Sequence, residues 1–141
     1  MRITSWNLLG AMALMMGLSA IASEPCLHYE PEVVELVGTM KAKVFPGGPN
    51  FESVKAGDAP EKYWVLQLAN PICVVPIQPD PNSINEPESG ICLLQLNEPD
   101  YKGCKHLLGK QVKVKGRLVH SITGHHHTKV MLEVLSIRPA T

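Results

Sequence analysis

Three consecutive histidines, His125, His126 and His127, stand between Thr123-Gly124 and Thr128, and His120 precedes them by five residues. Side chains on an extended chain alternate between faces, so His125 and His127 project to the same side. Both could offer an imidazole nitrogen to one zinc or copper ion, with His120 as a further candidate ligand. The competing reading is that the imidazoles cap a hairpin through its backbone or stand in water. Hydrolysis by a histidine acting with Glu52 or Asp58 has less support, because no nucleophile elbow or zincin motif is present.

Cysteine is the second residue type with chemistry. Cys26, Cys73, Cys92 and Cys104 are separated by 47, 19 and 12 residues. Without a CxxC pair, a zinc ribbon or thioredoxin-like redox motif is unsupported. An even number of cysteines in an exported chain reads as disulfides. Three pairings are possible and the sequence alone does not choose, although closing a longer loop removes more unfolded-state entropy, roughly 3 to 4 kcal/mol. Cys26 with Cys73 is the pairing expected.

Export is read from the start of the chain. Arg2 is followed by eleven uncharged residues, 8–18, and then by Ala20-Ile21-Ala22. The run is too short for a membrane span, which needs about 20 residues. Small residues at 20 and 22 suit signal peptidase, so residues 1–22 read as a signal peptide cleaved before Ser23. Cys26 lacks the Leu-small-small context of a lipoprotein, so no stable membrane anchor is expected. The location expected is periplasmic or secreted.

Cleavage leaves 119 residues, 23–141, the size of one domain, with 12 Lys+Arg against 13 Asp+Glu. That balance argues against nucleic acid, which would need a clustered basic surplus. The partner expected is a small ligand or a protein.

The elements that would position these groups are strands. Residues 33–45 alternate, with Val34, Leu36, Met40 and Val44 on the inward side and Gly38 where a long strand could bend. Residues 46–61 are too rich in Pro and Gly to continue it. Trp64, Leu66 and Leu68 mark a second strand, extended or followed by 71–74, and four prolines place 76–90 in a loop. Residues 91–96 form a third strand. A short helix opens at Pro99-Asp100-Tyr101 and closes at Gly109. Val112, Val114 and Leu118 define a fourth strand, whose outward Lys113, Lys115 and Arg117 read as a solvated face. Val130, Leu132, Val134 and Ile137 define a fifth, and the histidines lie in the hairpin between these two. This order predicts a mainly β fold, a small five-stranded OB-like Greek-key barrel with one short helix.

Several blocks, in order, carry a family resemblance. They are Cys26-Leu27-His28-Tyr29-Glu30-Pro31, Phe45-Pro46-Gly47-Gly48-Pro49-Asn50-Phe51-Glu52-Ser53, Gly57-Asp58-Ala59-Pro60-Glu61-Lys62-Tyr63-Trp64, Pro71-Ile72-Cys73-Val74, Leu107-Leu108-Gly109-Lys110 and Thr123-Gly124-His125-His126-His127-Thr128. Together they resemble the bacterial family catalogued as domain of unknown function 4431, over essentially all of residues 23–141. The resemblance implies a small exported protein and adds no mechanism. Ile122 stands where the family pattern has a further histidine, which weakens the metal reading. Cys26 and Cys73 match the pattern, whereas Cys92 and Cys104 are additions for which a second disulfide is the simplest account.

In an OB-like barrel the first long loop and the last hairpin flank one face. Asn50, Glu52 and Asp58 are therefore expected near His125 and His127 in a shared ligand-binding patch.

Overall fold

Alternating residues become barrel wall because each strand finds a partner on both edges. The computed structural model describes residues 24–97 and 101–141. The expected signal peptide, its cleavage point before Ser23, and Pro99 and Asp100 lie outside the described residues. The strands are β1 (Leu27–His28), β2 (Val34–Pro46), β3 (Pro60–Val75), β4 (Glu88–Asn97), β5 (Gln111–His120) and β6 (Val130–Pro139). β2, β3 and β4 form an antiparallel meander. β4 then pairs in parallel with β6, β6 antiparallel with β5, and β5 antiparallel with β2, which closes the ring. This is the OB-like Greek-key barrel that the order of elements predicts. Among the described residues no helix is long and apolar enough to cross a membrane.

β2 serves two neighbours in succession. Residues 34–39 pair with β5 and residues 38–46 with β3, so the strand changes partner at Gly38. A Cβ there would sit 2.6 Å from the Gln67 carbonyl oxygen and 3.0 Å from Leu66. Glycine is required because another backbone passes where a side chain would be.

The core holds Met40, Leu66, Leu94, Leu118 and Leu132, all fully buried, together with Tyr29 from the segment before β2. The expected helix is a four-residue α1 (Tyr101–Cys104) followed by a 3-10 turn, Lys105–Leu107, that buries Leu107. The backbone of Met40 bonds to Gly109 and Lys110, fixing this corner against β2.

β3 is one 16-residue strand that extends through 71–74, one of the two expected arrangements, with a register shift between Gln67 and Ile72. Two features differ from the expectation. β1 is additional and pairs in parallel with the end of β3. Val44, expected inward, is 54% exposed, and its neighbour Phe45 is buried instead. On the opposite face of the ribbon from Val44, Phe45 and Tyr63 lie against His127.

The Cys26–Cys73 disulfide is formed. The expected second bond is not: neither Cys92 nor Cys104 is in a disulfide. Cys104 packs against the core, whereas Cys92 follows the core residue Ile91 on β4 and lies outside that cluster.

The basic strand face is largely neutralised. Lys113 and Arg138 hold Glu35 at 3.2 and 3.0 Å, and Arg117 lies 3.6 Å from Glu133.

Candidate functional site: the joint of two loops

The first long loop, residues 47–59, is built around Asp58. Its Oδ1 accepts from the backbone N–H and carboxamide of Asn50, at 2.9 and 3.3 Å, and its Oδ2 accepts from the N–H groups of Glu52 and Ser53, both at 2.8 Å. The Ser53, Asn50 and Glu52 amides together hold the Asp58 carboxyl below its ordinary range. Gly47 and Ala59 close the base of the loop, and a 3-10 turn, Val54–Ala56, is capped by Ser53. The result presents Phe51, at φ +59°, on the loop tip. Asn50 and Asp58 are therefore brought together to shape the loop, and none of the histidine–carboxylate contacts involves Asn50, Glu52 or Asp58.

The second loop, residues 121–129, folds back over the outer wall. Gln95 of β4 anchors it. The carboxamide of Gln95 donates to the His125 carbonyl at 3.1 Å and accepts from the His127 N–H at 2.8 Å, while the Gln95 N–H donates to Thr128 Oγ1 at 2.9 Å. Gln95 is 2% exposed, yet both ends of its side chain are satisfied, as a buried amide requires. Beside it Phe45, Val65 and Met131 are buried without belonging to the main core. They form a second apolar layer between wall and loop. Gln95 is a functional residue the sequence reading missed; its one signal is a polar side chain inside the apolar run Ile91-Cys92-Leu93-Leu94-Gln95-Leu96.

The two loops meet at Glu61, the second residue of β3. Glu61 Oε1 lies 2.8 Å from His125 Nδ1, and Oε2 lies 3.0 Å from His127 Nε2. An ionised carboxylate only accepts, so each imidazole donates from the nitrogen that faces it. The His125 bond, followed by that of His127, holds the Glu61 carboxyl below its ordinary range. The His127 ring stacks on Phe45 with centroids 4.6 Å apart and planes 3° from parallel, and lies 5.4 Å from Tyr63. Phe51 meets His125 edge-on at 5.3 Å. Gly124 makes that approach possible, since a Cβ would sit 3.0 Å from the Phe51 ring.

His126, between them, has the opposite role. Its Nδ1 accepts from the Ile122 N–H at 3.0 Å. Burial, and then the neighbouring His125 and His127, push its pKa below the ordinary value. His120 lies at the base of the hairpin, with Nε2 3.3 Å from Glu88 and Nδ1 3.0 Å from the Ser121 carbonyl. Thus His125 and His127 share one carboxylate while His120 uses another. Among the described residues no group of three or more His, Cys, Asp or Glu is arranged to hold a metal ion.

The family described as Domain of unknown function (DUF4431) matches residues 93–138. Over this stretch the chain is similar to that family. Neither the curated proteins nor the solved structures contain a match to the chain. The DUF4431 match runs from Leu93 on β4 to Arg138 on β6, so it includes Gln95 and the three consecutive histidines. Phe45, Glu61 and the first loop come from the part of the chain before it.

Proposed function

We propose that this chain is a small binding or interaction module, exported to the periplasm or the medium after loss of residues 1–22. It would contact a small ligand or a protein at the joint of residues 47–59 and 121–129. The observation that carries the reading is the Glu61 carboxylate shared by His125 and His127, which fixes two sequence-distant loops in one surface. The His125 side chain is 59% exposed and commits only Nδ1 to Glu61, leaving Nε2 for a partner. Phe51, Val54 and Ile122 place exposed apolar groups on the same two loops. Apolar anchors within a polar rim are the usual anatomy of a contact site. The amides that gather on Asp58 pre-order the first loop, which reduces the entropy lost on binding.

A photoreactive residue in place of Ile122, in cells exporting the protein, tests the reading. A discrete adduct is expected that disappears when Glu61→Gln is added, whereas the same group in place of Val37 on β2 should give none. Equal adducts at both positions, or none at Ile122, overturn it. Amino-terminal sequencing of the exported protein should begin at Ser23.

The alternative, a zinc or copper protein using the histidine cluster, has less support, because His125 and His127 each commit the nitrogen that faces Glu61 to a hydrogen bond and no group of three or more such residues among those described is arranged to hold a metal ion. Stoichiometric metal in untagged protein from its own compartment would replace the first reading with this one.

A further inference from the structure

At a different place on the barrel, the connection between β3 and β4 forms an open cavity of about 530 Å³. Its walls are Val75 and the rings of Pro76, Pro79, Pro81 and Pro87. The size falls within the range of small-molecule sites, roughly 300 to 1,000 Å³, and an apolar lining with few polar groups is their usual character. A second cavity shares Pro76, Pro79, Asp80, Ser83 and Asn85 with it and extends the space to Tyr29 and Glu30.

The loop is ordered before any ligand arrives. Tyr29 Oη donates to the Glu86 carbonyl at 2.8 Å, Asn82 N–H to Asp80 Oδ1 at 2.9 Å, Ser83 N–H to the Asp80 carbonyl at 3.0 Å, and Asn85 N–H to Ser83 Oγ at 3.1 Å. Four prolines restrict the chain further, so little entropy remains to be lost on binding.

The charged groups of this space share one sign. Asp80 and Glu86 line the first cavity and Glu30 the second, while no Lys, Arg or His lines either. Among the described residues none of the three carboxylates has an ion-pair partner. Asn85 adds a buried Oδ1 with no hydrogen-bond donor among the described residues. The negative field registers on Tyr29, whose hydroxyl is pushed up to about 12 by burial and then by Glu88, Glu30 and Glu86.

We infer that this proline-walled cavity binds a small organic cation, an apolar ring or chain carrying a protonated amine. The apolar body fits against the prolines, and the ammonium supplies positive charge and N–H donors to a lining whose charged side chains are all carboxylates.

Three probes of similar shape and different charge test this on the mature protein: phenethylamine, phenethyl alcohol and hydrocinnamate. Amide resonances of Ile77, Gln78, Ser83 and Asn85 should shift saturably with the amine, several-fold more weakly with the alcohol, and not with the acid. Glu30→Gln with Glu86→Gln should weaken the amine about three- to tenfold, as two partly exposed ion pairs would, and leave the alcohol unchanged. Unaltered resonances in β5 and β6 would show that the variant is folded. Equal binding of the acid, an unchanged amine affinity in the double variant, or saturable shifts only around Glu61 would each overturn the assignment.

Discussion

Two glutamates on the outer wall of the barrel each hold two basic groups, in different surroundings. Glu35 on β2 takes Lys113 from β5 and Arg138 from β6, and its side chain is 43% exposed. Glu61 on β3 takes His125 and His127, is 19% exposed, and rests beside a His127 side chain that is only 7% exposed. The first pair sits on a regular strand face where water competes for every bond and little stability is gained. The second lies over buried Phe45, Val65 and Met131, and its partners come from a loop that Gln95 holds to the wall. The same arrangement of charges is a surface ladder in one place and the junction of two loops in the other. What separates them is the apolar layer beneath.

That comparison breaks most visibly at Gln95. Gln95→Leu keeps the volume but leaves the His127 N–H and the His125 carbonyl without partners, and about 2 to 4 kcal/mol of stability should be lost. Urea unfolding would measure it, and a loss under about 0.5 kcal/mol, the level of an ordinary surface change, would mean that the loop is not anchored there.

His127→Ala should come next, at about 1 to 3 kcal/mol, because it removes the stack on Phe45 and one bond to Glu61. Proteolysis should then cut within 121–129 sooner than in the parent protein.

Glu61→Gln and Glu35→Gln test the two glutamates directly. The first should lower the thermal midpoint measurably and the second should leave it within error. Raising salt should erase what effect Glu35→Gln has and reduce that of Glu61→Gln less, since buried partners are screened less. Equal effects would remove the distinction between junction and ladder.

The smallest effects are on pH dependence. The Glu61 carboxyl is held down from 4.5 by His125 and His127, and that of Glu35 from 4.5 by Lys113 and Arg138. A value depressed by folding contributes stability that is whole above the ordinary value and is lost as the pH falls through the folded one. Both contributions should therefore disappear in acid, below about pH 4.5. His126 obeys the same sign from a higher start, being depressed from 6.5 by burial. Its contribution is whole above 6.5 and declines as the pH drops below it. His126→Asn should flatten that part of the stability profile and leave the carboxylate part unchanged.

The barrel was legible because its inner face obeys a local rule. Val34 and Leu36 flank Glu35, Leu66 and Leu68 flank Gln67, and Val112 and Val114 flank Lys113, and alternation against one core needs no knowledge of what lies across it. The first loop and the last hairpin also meet as the fold class implies. Val44 and Phe45 mark where that rule ends, because burial outside the barrel depends on which loop lands there. Asp58 illustrates the same limit: a carboxylate in a polar loop reads as a ligand group until three backbone N–H groups and the Asn50 carboxamide close around it.

By itself the sequence determined the strand order, the barrel, the two loops with unusual composition and the histidines in one of them. Among its three possible cysteine pairings was the one that is joined, Cys26 with Cys73. Tertiary structure alone decided that Glu61 rather than Glu52 or Asp58 faces the imidazoles, that His120 pairs with Glu88, and that Cys92 and Cys104 are not joined in a disulfide. The physical reason is that periodicity reports one face of one strand at a time. Which carboxylate meets which imidazole is set by strand pairing across more than 60 residues of chain, and by the curl at Gly38 that brings the ribbon beneath the loop.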